Sequence, residues 1–103
     1  MSSTKKRVRQ QFRESVFARD GHACRICSRR DALLDAHHIT DRNEMPCGGY
    51  ALENGISLCP ECHERAEAYH RTGTALPGFA PSDLYARIGS SHAAAVAASE
   101  RLL

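Results

Sequence analysis

The chain carries a doubled histidine, His37-His38, and a further histidine, His63, placed directly after the pair Cys59-Pro-Glu-Cys62. A second Cys-x-x-Cys pair, Cys24-Arg-Ile-Cys27, stands upstream of the doublet. Two such turns present four thiolates to one tetrahedral ion, so Cys24, Cys27, Cys59 and Cys62 read as a structural zinc site with no coordination position left for water or substrate. A redox dithiol would explain one pair but not two. The imidazoles offer different chemistry, because a neutral ring accepts protons near physiological pH and also ligates divalent cations. A rigid zinc knot between the two cysteine pairs would hold these rings near one another.

The elements around these residues decide which rings meet. Pro60 suits the first position of a helix that continues to about Arg71 and stops at Gly73. His63 then lies on its first turn and, at about 100° per residue, points away from the zinc ligand Cys62. Glu67 and His70, four and seven residues on, share its face. Ala32 to Ile39 is the best first strand, and successive strand side chains point to opposite faces. His37 and His38 therefore serve one site only where the strand ends or bends, which the polar run Thr40-Asp41-Arg42-Asn43 permits. Thr40 to Gly49 reads as a loop, Asn54-Gly55 as a hairpin turn, and Ile56-Ser57-Leu58 as the returning strand. Cys47 lies in the loop and reads as a spare thiol.

The flanks are simpler. Residues 1–7 are polar and basic and read as a disordered tail. Val8, Phe12, Val16 and Phe17 recur at helical spacing up to Arg19, and Asp20-Gly21 stops that helix. Residues 8–73 form the main domain. Pro77, Gly78 and Pro81 mark a linker, and residues 74–103 form a helical appendage with helices over 82–88 and 91–102.

At 103 residues the chain has room for one modest core, and it contains no Trp and only three Phe and three Tyr. Metal binding would then supply folding energy that burial alone does not. The net charge of +2 conceals a strong asymmetry. Residues 1–30 hold nine Lys and Arg against Glu14 and Asp20, a balance of +7, so the remainder carries −5. A basic end on an acidic domain points to a polyanion contact at one edge. No apolar run has the length of a signal peptide or a membrane span, which leads to the expectation of a cytoplasmic protein with no membrane partner.

Cys24-x-x-Cys27, Asp35-Ala36-His37-His38-Ile39, Asn54 and Leu58-Cys59-Pro60-Glu61-Cys62-His63 together resemble the HNH endonucleases, the ββα-metal nucleases. The resemblance covers about residues 8–71. It implies an α+β fold, a small ββα hairpin-plus-helix domain stapled by zinc, with flanking helices. It also implies that one divalent cation (Mg²⁺, Mn²⁺, Ni²⁺ or Zn²⁺) is held against the scissile phosphate by His37 and His63, with His38 as general base. Asn54 would hydrogen-bond near that base and fix its orientation, a role compatible with a turn residue. Colicin-like members place a third histidine one turn past the closing one; this chain has Glu67 there, so a carboxylate or water would complete the shell. The implied activity is metal-dependent hydrolysis of DNA phosphodiesters, duplex DNA being the expected substrate, leaving 5′-phosphate and 3′-hydroxyl ends. Arg9 and Arg13 on the first helix and Arg42 in the loop would bind phosphates. A non-catalytic zinc-ribbon module that binds nucleic acid accounts for the clip and the basic end, but not for the three histidines. A nuclease acting on RNA, or serving a larger nuclease or phage packaging assembly, is a third class.

Overall fold

The computed structural model of the chain describes residues 2–102. Helix α1 runs from Ser2 to Arg19. The expected disordered tail over 1–7 is therefore corrected for residues 2–7, which extend the helix, while Met1 lies outside the described residues. The physical reason is the absence of any helix breaker between Ser2 and Arg19, in a stretch rich in the strong helix formers Lys, Arg and Gln. Phe12 and Val16 form its buried stripe, whereas Val8 stays 39% exposed. Asp20 ends the helix and is buried. Its carboxylate accepts hydrogen bonds from Arg19 and, at 2.8 Å, from the Ser57 backbone amide. That bond ties the end of α1 to the sheet.

Strands β1 (Asp35–His38) and β2 (Gly55–Leu58) pair antiparallel, with Asp35 opposite Leu58 and His38 opposite Gly55. The strand expected from Ala32 is shorter, because Leu33 is 89% exposed and has no face to pack on. Residues 39–54 connect the strands through three short 3-10 turns, Arg42–Glu44, Pro46–Gly49 and Leu52–Asn54. Asn54-Gly55 is thus not the hairpin turn the dipeptide implies, since Gly55 has φ −121° and is already in the strand. Glycine is required there for a different reason. A Cβ at Gly55 would fall 2.5 Å from Val16 and 2.7 Å from Phe12, so its absence is what lets α1 lie against the sheet.

Helix α2 (Pro60–Thr72) follows β2 directly, with Pro60 at its start and Gly73 in the left-handed conformation at its end. Helices α3 (Pro81–Arg87) and α4 (His92–Glu100) close the chain, with Ser91 capping α4. Leu84, Tyr85 and Ala95 from these two helices enter the same buried cluster as Ile39, Ile56 and Leu58. No described helix is long and apolar enough to cross a membrane.

Candidate active site

The four cysteines converge as their spacing predicts. Cys24, Cys27, Cys59 and Cys62 bring their sulfurs within 4.8 Å of one another. The Sγ atoms of Cys27 and Cys59 are 3.7 Å apart, too far for a disulfide. Thiolates bound at about 2.3 Å around a tetrahedral ion are separated by about 3.8 Å, so the cluster fits zinc. Its electrostatics agree. Burial alone would raise the Cys24 thiol, but the backbone amides of Cys27, Cys59 and Ile26 outweigh it and lower the pKa to about 7. Burial, followed by the adjacent sulfurs, drives Cys62 the opposite way, well above the usual thiol range. Four thiolates this close need a cation among them.

The cysteine cluster joins the start of α2 to the first cysteine knuckle, and α2 presents His63, Glu67 and His70 to β1. His37 points to this side. Its ring lies 5.2 Å from that of His63 and 5.2 Å from that of His70, centroid to centroid. His37, Glu67 and His70 each offer a ligand atom, all within 4.8 Å of one another. His63 stands beside them, with Nδ1 3.2 Å from an Asp35 carboxylate oxygen and Nε2 3.7 Å from Glu67. His37 is 3% exposed, and its Nε2 has no hydrogen-bond partner among the described residues. Burial first, then the neighbouring histidines, lower its pKa to about 3. A buried, neutral imidazole with an unengaged nitrogen fits a cation ligand.

His38 points to the opposite face, toward α1. Its ring stacks on Phe12 at 4.5 Å and meets Tyr50 edge-on at 4.8 Å. Tyr50 is held in turn by Arg42, whose guanidinium donates to the Tyr50 hydroxyl at 2.7 Å. Burial, then the Arg42 charge, bring His38 down to about 4, and its Nε2 has no hydrogen-bond partner among the described residues. The ring is therefore neutral at physiological pH and free of competing donors.

Asn54 hydrogen-bonds the backbone near His38, not the His38 ring itself. It is fully buried, accepts from the Thr40 amide at 3.0 Å, and donates to the carbonyls of Thr40 and Gly49 at 3.1 Å. It thus clamps the chain two residues past His38. Its Oδ1 also accepts from the Tyr85 hydroxyl at 2.7 Å, and that hydroxyl lies 2.7 Å from Thr40 Oγ1. Nothing in the sequence pairs Tyr85 with position 54, because a contact 31 residues apart leaves no local signal.

The two faces meet in one cavity of about 510 Å³, lined by His37, His38 and His63. Arg9, Arg13 and Arg42, the expected phosphate-binding residues, line the same cavity. Residues 24–68 match the family described as HNH endonuclease. No curated protein and no solved structure matches the chain.

Proposed function

We propose, on the match of residues 24–68 to the HNH endonuclease family, that the chain is a metal-dependent DNA endonuclease acting on duplex DNA. The observation that carries this reading is the convergence of four histidines and three arginines on one cavity. A zinc-ribbon binder has no use for the histidines. Arg9, Arg13 and Arg42 hold the phosphate backbone, which gives affinity without sequence choice. His37 and His63 would hold the divalent cation, which would stabilise charge developing on the phosphate and on the departing oxygen.

His38 takes the proton from the attacking water. Its neutral state suits that task, although a ring held near pKa 4 is a weak base in the free protein. A bound phosphate beside Arg42 would offset the charge of that residue, the second cause of the depression after burial, and so recover part of the ring's basicity. Phe12 and Tyr50 keep the ring from turning. Cleavage leaves a 5′-phosphate and a 3′-hydroxyl.

The test is plasmid nicking in Mg²⁺, Mn²⁺ and Ni²⁺. His38→Ala should lose roughly 10²- to 10⁴-fold in rate, the usual contribution of a general base. Zinc content, melting temperature and retention of DNA on a gel should stay near wild type. A wild-type chain that shifts DNA but never cuts it, with any of these metals, is the zinc-ribbon binder instead.

A further inference from the structure

His70 lies two residues beyond the segment that matches the family, seven residues after His63 and on the same face of α2. Its ring is tilted 34° to that of His37 at 5.2 Å, and with His37 and Glu67 it completes the group whose ligand atoms fall within 4.8 Å. Three donor atoms 2.0–2.2 Å from one ion lie at most about 3.8 Å apart when spread evenly around it, so a group within 4.8 Å needs to close by up to about one ångström. Two further observations point the same way. His37 is buried with an unpartnered Nε2 beside these side chains. His70 Nε2 lies 3.1 Å from the His38 carbonyl oxygen. The same Nε2 lies 3.9 Å from a Glu67 carboxylate oxygen. A carbonyl only accepts, so while Nε2 donates to it, Nδ1 keeps its lone pair and is the nitrogen that would ligate. Ligating histidines characteristically use their other N–H in this way, and His63 does the same toward Asp35.

We propose that His70 is a ligand of the divalent cation, joining His37, Glu67 and His63 in a shell of three imidazoles and one carboxylate. The inference rests on reading this site as a divalent-cation nuclease centre, and it deepens that reading by naming the metal class. Three nitrogens to one carboxylate favour Mn²⁺, Co²⁺, Ni²⁺ or Zn²⁺ over Mg²⁺, which prefers an octahedron of oxygens. The bond from His70 to the His38 carbonyl also couples the metal shell to the residue that carries the base.

The test is Co²⁺ titration of the full chain with its four-cysteine site already filled by zinc. It compares wild type with His70→Gln, whose amide still donates to the His38 carbonyl but ligates poorly. Co²⁺ affinity should fall by more than about 100-fold, beyond the 10- to 100-fold that losing an outer-shell partner costs. One paramagnetically shifted imidazole N–H signal should vanish with it. Equal affinity and an unchanged spectrum in a variant with full zinc content would overturn the proposal. Should His70→Gln not fold, wild type alone decides, because the proton on His70 Nε2 must show a Co²⁺-induced shift. Its absence overturns the proposal. Co²⁺ bound through His70 in a protein that cuts no DNA would leave the inference standing and remove the nuclease reading.

Discussion

His37 and His38 are adjacent and chemically identical, yet strand alternation alone gives them separate surroundings. His37 faces α2, among His63, Glu67 and His70; His38 faces α1, against Phe12 and Tyr50. Both are held neutral, at about 3 and about 4, with burial the largest cause in each case. These shifts make a prediction for stability. A histidine whose pKa is depressed in the fold binds no proton there, while the unfolded chain binds one below about pH 6.5. Stability is therefore full above that pH and falls on acidification, down to the folded values. Going from pH 7 to 5.5, each ring should cost about 1 kcal/mol. Zinc loss in acid acts in the same direction, so the measurement is a difference. Urea melts of the protein without added second cation should lose more stability in wild type than in His37→Gln over that interval. Parallel profiles would show that His37 protonates as readily folded as unfolded.

At the scale of elements, the site is a long hairpin loop pinned between two helices that belong to opposite ends of the chain. The knuckles, α2 and the strand bearing the doublet are legible in the sequence because each has a local signature: Cys-x-x-Cys, Pro at a helix start, Gly at its end, a short polar stop after His38. Other features depend on contacts distant in sequence and leave no such trace. Gly55 looked like a turn residue, but its role is to admit Val16 and Phe12 of α1. Residues 74–103 read as an appendage in the sequence; in the fold α3 sends Tyr85 into the Asn54–Thr40 clamp behind His38. Tyr85→Phe keeps the ring and removes the donor, leaving Asn54 Oδ1 with the Thr40 amide as its remaining partner. The lost buried hydrogen bond should cost about 1 kcal/mol in stability. Cleavage should fall further than that, by roughly 10- to 100-fold, because small misplacement of a catalytic group is costly. Gel-shift affinity should not change, since Tyr85 is not among the residues of the histidine cavity. Wild-type turnover in Tyr85→Phe would reduce α3 to a packing element.

For the whole molecule, the cysteine cluster and the sheet divide the work of bringing distant segments together. The basic α1 is fastened to β2 through Asp20, and the knuckle that follows α1 is fastened to α2 through the four sulfurs. The arm of the cavity that carries Arg9 and Arg13 thus depends on Asp20, and the arm that carries His63 and His70 on the sulfur cluster. A chain of 103 residues has folding stability on the order of 5–15 kcal/mol, while structural zinc supplies roughly 10–16 kcal/mol of apparent binding energy. The second quantity matches or exceeds the first, so the zinc-free chain should not hold its tertiary structure. Chelation should abolish the cooperative melt and collapse the dispersion of amide resonances, although part of the α1 helical signal can persist. Adding Mg²⁺ or Mn²⁺ should restore neither, and one equivalent of zinc per chain should restore both. Cys59→Ala should reproduce the chelated state even with zinc in excess, because a closed tetrahedral shell does not tolerate a missing thiolate in this position between β2 and α2. A chelated protein that still melts cooperatively at its original temperature would place the folding energy in the apolar core, and the sulfur cluster would then be dispensable to the geometry of the histidines.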